Sequence, residues 1–123
     1  MNNLLEKKTV KKVESFLKNY DHNIKLIVLD ETARTAIDAA KSLTAEVGSI
    51  VKSLLFKDLD NNFHLCLVSG DKLVSLEKIS KIFNSLTIKA NADECKQMTG
   101  FSIGGVAPVA HLHTPSRIFI DEN

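Results

Sequence analysis

The stretch TGFSIGGVAPVAH, residues 99–111, combines three glycines and one proline in a short segment. The adjacent Gly104 and Gly105 allow backbone conformations closed to other residues and let a ligand approach the peptide N–H groups. Pro108 fixes its own φ and biases Ala107 toward an extended conformation, so the loop is stiff. Such a loop can stabilise an oxyanion or hold an attacking water. The alternative is a tight connection between a helix and a strand, because Gly-Gly pairs mark turns generally.

A second stretch, IVKSLLF at residues 50–56, has the pattern of a strand with one charged residue in an apolar run. Alternation puts Lys52 on the same face as Leu54 and Phe56. Burying an unpaired ammonium is costly. Lys52 therefore either lies at a cleft with an anionic partner or extends outward to solvent at the strand end. We expect the two stretches to meet and form a site.

The composition predicts one soluble globular domain. The chain has 123 residues, of which 44% are apolar and 25% charged, enough for a single core. No apolar run approaches the roughly 18 residues that a membrane span needs. Because the N-terminus lacks the apolar segment of a signal peptide, we expect a cytoplasmic protein.

Charge and cysteine usage narrow the function classes. The formal net charge is +1, which argues against binding DNA or any long nucleic acid but is compatible with gripping one end of an RNA. Cys66 and Cys95 match no metal or redox spacing, and Cys66 has the surroundings of a buried apolar residue. A disulfide is not expected in the cytoplasm.

Periodicity and capping signals predict a mixed α/β order. Thr35 followed by Asp38, and Asn91 followed by Glu94, have the spacing of capping boxes. A turn at residues 60–62 predicts a hairpin. The Lys-rich face of the first helix is either a contact for RNA phosphate or an ordinary solvated face. The predicted helices are residues 4–20, 35 to about Gly48, 75–83 and 91–98, and the predicted strands are 24–29, 50–56, 63–68, 87–89 and 117–120.

Common catalytic motifs are absent from the sequence. It contains no G-x-S-x-G elbow, Walker loop, H-E-x-x-H or paired CxxC, and no tryptophan to stack a base. His111 and His113 could share one side of an extended segment, but no third ligand accompanies them, so we expect no metal and no cofactor. His111 is better suited to orient groups beside the loop. His22 and His64 are interpreted as ordinary surface or strand residues.

Four segments in order, TARTAIDAAKSL, SIVKSLLF, LVSGDK and ADECKQMTGFSIGGVAPVAH, resemble the YbaK/EbsC family. That family includes freestanding relatives of the bacterial prolyl-tRNA synthetase editing (insertion) domain. The resemblance runs from about residue 32 to 121. It implies an α/β fold with a strongly twisted, barrel-like mixed sheet and flanking helices. It also implies a single domain over residues 1–123, shorter at its C-terminus than its relatives.

The resemblance also implies an activity, hydrolysis in trans of a mischarged aminoacyl-tRNA. Lys52 matches the family's functional lysine, thought to hold the phosphate of the terminal adenosine. Gly104 and Pro108 match the ends of the G-x-x-x-P loop, whose backbone positions the ester carbonyl and the attacking water. Family members use no protein nucleophile, and the ribose hydroxyl beside the ester assists. Further substrate contacts are expected at Thr35, Ser102, Ile103, Gly105, Val106, Ala107 and His111.

Two departures from the family pattern concern the loop itself. Ala107 stands where relatives commonly carry Ser or Pro, and Ala110 where they commonly carry Gly. The expected partners are the acceptor end of an aminoacyl-tRNA and, through the family, an aminoacyl-tRNA synthetase. The oligomeric state, the amino acid removed and the tRNA are not specified by the sequence.

Two other functions use the same features. One is a non-catalytic module of the same fold that binds tRNA or a synthetase. The other is a small-nucleotide binder whose Gly-rich loop holds phosphate. Turnover of a mischarged tRNA distinguishes the deacylase from both.

Overall fold

The computed structural model describes residues 4–29 and 35–122. Single 3₁₀ turns occur at Leu4–Glu6 and Val47–Ser49. No helix in the described ranges combines the length and apolarity needed to cross a bilayer. The helices are α1 (Lys8–Tyr20), α2 (Ala36–Leu43), α3 (Leu76–Phe83) and α4 (Ala92–Thr99), and the strands are β1 (Val51–Asp58), β2 (Phe63–Ser69), β3 (Thr87–Lys89) and β4 (Arg117–Ile120).

The strands form one mixed sheet in the order β3-β1-β2-β4. β1 pairs antiparallel with β2 as the predicted hairpin, and β3 pairs antiparallel with the end of β1. β4 returns parallel to β2. The predicted mixed α/β class is confirmed. Over the described residues the sheet remains open, with β3 and β4 as its edges, so the expected barrel-like closure is not formed there.

The two faces of the sheet carry separate apolar clusters. Leu55 and Leu65 pair across β1 and β2 and pack with Cys95 of α4. The next residues along, Phe56 and Cys66, face the other way and pack with Ile79 of α3. Because strand side chains alternate between faces, this division fixes which groups can meet α4 and which can meet α3.

The helices α2, α3 and α4 begin where the sequence predicts. Oγ1 of Thr35 accepts a hydrogen bond from the Asp38 backbone N–H at 3.1 Å. Oγ of Ser75 accepts from the Lys78 N–H, and Asn91 with Glu94 completes a capping box. These caps satisfy N–H groups that have no partner within the helix.

One predicted strand and two predicted helix boundaries are wrong. Residues 24–29 form neither helix nor strand, and Ile27 is 74% exposed. Apolar β-branched residues favour a strand only where a partner strand is available, and no described strand pairs with this segment. The helix predicted to run to about Gly48 ends at Leu43, because Thr44 adopts a left-handed conformation with φ of 53°. The first α-helix starts at Lys8 rather than residue 4.

Candidate active site

The Gly-rich segment forms a loop whose two ends meet at the C-terminus of α4. The Leu112 N–H donates to the Thr99 carbonyl at 3.2 Å, and the His113 N–H donates to the Met98 carbonyl at 2.9 Å. At the start of the loop, Oγ1 of Thr99 accepts from the Phe101 N–H at 3.0 Å. Residues 100–111 are thus a closed surface loop of the kind that often carries function.

Gly104 shapes the first half of this loop. The Gly105 N–H donates to the Ser102 carbonyl at 2.9 Å, closing a tight turn in which Gly104 has φ of 83°. A Cβ at Gly104 would meet no atom within 4 Å. The left-handed backbone, not a lack of space, therefore explains the glycine.

The side chain of His111 makes a hydrogen bond within the second half of the loop. Its Nε2 lies 2.6 Å from the Ala107 carbonyl oxygen. A carbonyl can only accept, so Nε2 carries the hydrogen. The His111 ring also meets the buried Phe101 edge-on at 6.0 Å between centroids. This agrees with the expectation that His111 orients the loop, and its contact with substrate stays a prediction.

The first half of the loop covers a small cleft at the edge of β1. β3 pairs with residues 56–58 of β1, and the Ala90 N–H donates to the Leu55 carbonyl at 3.0 Å, so this edge of β1 is open only before Leu55. The cleft there has a volume of about 230 Å³. Its lining is mainly apolar with one cation: Ser53, Leu54, Leu55, Lys89, Cys95, Ile103, Gly104 and Val106.

Three unsatisfied donors border this cleft. Within the described parts of the chain, the backbone N–H groups of Gly104 and Val106 make no hydrogen bond. The ammonium of Lys89 likewise has no ion-pair partner there. Burial raises the pKa of the Cys95 thiol, and the nearby Lys89 charge opposes that rise. The cleft can therefore receive an anion or a polarised carbonyl oxygen.

Lys52 does not reach this cleft. Its side chain lies on the α3 face of β1, whereas Val106 of the loop packs against the α4 face. The Lys52 Nζ donates to the Lys72 carbonyl at 2.6 Å, in the segment that follows β2. The expected meeting of the Lys52 ammonium with the loop is thus absent from this arrangement, and the functional role of Lys52 stays a prediction.

Two other predicted site residues also lie apart from the cleft. Thr35 caps α2, whose first residue, Ala36, packs against Gly70 just after β2. Pro108 lines a second cavity of about 450 Å³ between the loop and α1. Gly104 and Pro108 thus border different cavities. Of the predicted site residues, the catalytic candidate Gly104 and the substrate-contact candidates Ile103 and Val106 line the cleft together.

A buried pair on the hairpin was missed by the sequence interpretation. The His64 Nε2 lies 2.9 Å from Asp58 Oδ2, and both side chains are buried. The Asp58 Oδ1 accepts from the backbone N–H groups of Asp60 and Asn62, which fixes the turn. The His64 hydrogen bond is the main reason that the Asp58 pKa is lowered. Asp58 followed by a polar turn was a sequence signal for this Asx-type bonding.

No group of three His, Cys, Asp or Glu side chains is arranged to hold a metal ion within residues 4–29 and 35–122. Besides backbone amides and a lysine, the cleft lining contains Ser53 and the buried Cys95, and burial raises the pKa of the Cys95 thiol. The amides and the ammonium are groups that can orient a substrate and stabilise charge.

The fold and the loop define a class of protein. Residues 30–123 match the family model for the aminoacyl-tRNA editing domain. The chain belongs to this family, which confirms the YbaK-type resemblance.

Individual proteins that resemble this chain support its assignment to the editing-domain family. A proline--tRNA ligase of Thermosipho africanus (strain TCF52B) is 34% identical over 83 residues, a match covering 67% of this chain and 15% of the ligase. The uncharacterized protein YwhH of Bacillus subtilis (strain 168) is 23% identical over 113 residues, covering 92% of this chain and 71% of YwhH. A crystal structure of a candidate trans-editing enzyme for prolyl tRNA synthetase superposes with a TM-score of 0.87 at 36% identity, covering 94% of this chain and 73% of that one.

Proposed function

We propose that this protein is a trans-editing aminoacyl-tRNA deacylase, which hydrolyses the ester of a mischarged tRNA in the cytoplasm. Membership of the editing-domain family supports the substrate class. The observation that carries the proposal is the cleft itself, which is lined by Gly104 and Val106, whose amides make no hydrogen bond among the described residues, and by Lys89, whose ammonium has no ion-pair partner there.

The chemistry needs only positioned donors. A water oxygen attacks the ester carbonyl, and the carbonyl oxygen becomes an oxyanion that the loop amides stabilise. The bond between the carbonyl carbon and the ribose oxygen then breaks, and a proton from the water passes to the ribose oxygen, assisted by the neighbouring ribose hydroxyl. Loss of one oxyanion donor typically costs about 2.7–4 kcal/mol of transition-state stabilisation.

Two lysines are candidates to hold the phosphate of the terminal adenosine. The family resemblance favours Lys52. To contact a phosphate, the Lys52 ammonium must first break its solvent-exposed hydrogen bond to the Lys72 carbonyl. The geometry favours Lys89, which already lines the cleft beside Gly104. We propose that Lys89 holds the phosphate in this arrangement and that Lys52 contacts substrate only after reorienting.

Selectivity is proposed to arise from the size of the cleft. Its apolar lining and small volume suit a small amino-acid side chain. One methylene changes binding in such a pocket by about 1–3 kcal/mol. The Thermosipho relative is named a proline--tRNA ligase, so the first tRNA to test is proline tRNA carrying the wrong amino acid.

The test is single-turnover deacylation across a panel of mischarged tRNAs. We expect the wild type to hydrolyse at least one of them and Gly104→Ala to lower that rate about 100-fold, because the left-handed turn that presents the amides is lost. Lys89→Ala should lower the rate more than Lys52→Ala. Lys81→Ala is the matched control, since Lys81 pairs with Glu77 on α3, away from the cleft. Binding of uncharged tRNA with no turnover of any ester would instead favour the non-catalytic module.

A further inference from the structure

Two ammonium groups from different helices converge on Gly100, at the start of the loop. The Nζ of Lys96 donates to the Gly100 carbonyl at 3.2 Å. The Nζ of Lys12 lies 3.3 Å from the position that a Cβ on Gly100 would occupy. We infer that Lys12 and Lys96 form a phosphate clamp that binds the RNA backbone leading to the 3′ end. The choice of RNA as ligand rests on the proposed function.

Neither ammonium is neutralised within the described residues. The carboxylates nearest in sequence to Lys12 pair with other lysines, Glu6 with Lys11 at 2.9 Å and Glu14 with Lys18 at 3.7 Å. Asp93, three residues before Lys96 on α4, forms no ion pair with it. On α4, Glu94 pairs with Lys57 at 2.5 Å. Two like charges beside one residue repel each other, and a bound anion offsets that repulsion. This local excess contrasts with a whole-chain net charge of only +1.

The clamp and the cleft flank the same loop. Lys12 extends over the ring of Phe101, 5.1 Å from its centroid, and Phe101 is only 5% exposed, so the ring is a fixed support. Lys12 also lines the 450 Å³ cavity together with Pro108 and His111.

A terminal ribose in the cleft would place the preceding nucleotides close to this loop. Their phosphates are the anions expected to reach Gly100. Lysine suits this role because its ammonium acts as a point charge toward any phosphodiester, without reading sequence.

The first measurement is the salt dependence of RNA binding. A fluorescent minihelix with a single-stranded 3′ end, left uncharged, is titrated with wild type and with the double variant Lys12→Ala/Lys96→Ala. Because each phosphate contact contributes about 0.7–0.9 to the slope of log K against log salt, we expect the double variant to lower the slope by about 1.5. Lys12→Arg/Lys96→Arg should keep the slope. Lys78→Ala, the same change on α3 across the sheet, should also keep it.

The second measurement separates the clamp from the cleft. With the amino acid found in the deacylation panel, we expect the double variant to lower kcat/KM for the aminoacyl-minihelix about tenfold. It should leave hydrolysis of the corresponding aminoacyl-adenosine, which lacks the backbone phosphates, unchanged.

An unchanged salt slope in the folded double variant, or no RNA binding by the wild type, overturns the clamp. Equal loss on both substrates also overturns it, since that indicates damage to the cleft. A wild type that hydrolyses neither substrate refutes the proposed deacylase, and the slope measurement alone then decides whether the clamp exists.

Discussion

Ala110 adopts a left-handed backbone conformation, with φ of 64°, in a loop whose other left-handed residues, Gly100 and Gly104, are glycines. For an L-residue with a side chain this conformation costs roughly 1–2 kcal/mol. The loop therefore stores strain at Ala110. The hydrogen bond from His111 to Ala107 helps to hold the strained segment.

We predict that Ala110→Gly stabilises the protein by up to about 1 kcal/mol, because the relief of strain exceeds the added entropy of the unfolded glycine. The free energy of unfolding in urea is the measurement. The control, Ala107→Gly, changes the same residue type in the same loop at a position without positive φ, and should destabilise. If both variants destabilise equally, Ala110 is not strained.

The Asp58–His64 pair makes stability depend on pH. The His64 hydrogen bond, helped by the N–H groups of Asn62 and Asp60, holds the pKa of Asp58 below its ordinary value against the opposing effect of burial. Ionised Asp58 therefore stabilises the folded state above its unfolded pKa of about 3.9. That contribution is lost as the pH falls through the lower folded pKa.

We predict that Asp58→Asn lowers the free energy of unfolding at pH 7 by about 1–3 kcal/mol, since it weakens a buried hydrogen-bonded pair. The variant should also lose less stability than the wild type between about pH 5 and about pH 2. Urea unfolding across this range measures both effects. Asp60→Asn, in the same turn with an exposed side chain, is the control. A parallel pH dependence in Asp58→Asn and wild type would exclude Asp58 as a source of the acid sensitivity.

At the scale of helices and strands, short sequence patterns predicted an element correctly where the groups that stabilise it are close together in the sequence. Asn91 and Glu94 satisfy each other's backbone N–H groups within one helical turn, so spacing alone predicts the start of α4. The residues 60–62 turn predicts the hairpin for the same reason. Residues 24–29 show the limit, because a strand needs a partner whose availability no local pattern reports.

Thr99 connects α4 to the loop, and its side chain is 1% exposed. We predict that Thr99→Val costs about 1–3 kcal/mol, because the buried Phe101 N–H loses its acceptor. The loop start is then less rigid, so the deacylation rate should also fall. Urea unfolding and single-turnover deacylation measure the two effects.

Thr87→Val is the matched control for this prediction. Thr87 is equally buried, at 1% exposed, and its Oγ1 donates to the Ser85 carbonyl at 2.9 Å, away from the loop. It should lose stability and keep its deacylation rate at a temperature where both variants are folded. Equal rate losses in the two variants would show that the anchoring of the loop by Thr99 has no special effect on activity.

For the whole molecule, the class of fold was predicted from the sequence, but the cation that lines the cleft beneath the Gly104 turn was not. Gly104 could be predicted because positive φ is a property of the residue itself. The meeting of Lys89, Cys95 and Gly104 depends on where β3 stops along β1. The position at which β3 ends is set by tertiary packing and cannot be read from local sequence. Strand alternation alone therefore predicted Lys52, and not Lys89, as the lysine of the site.

The central claim is that the cleft beneath the Gly104 turn seats the aminoacyl end of a tRNA. The most direct test is an amide NMR titration with an aminoacyl-adenosine analogue whose ester is replaced by a non-hydrolysable amide. The account predicts the largest shifts for the backbone amides of Gly104 and Val106, with Lys89 also shifted and the amide of Asp60 unchanged. Shifts confined to Thr35, Lys52 and Lys72, or no shifts at a saturating concentration, would contradict it.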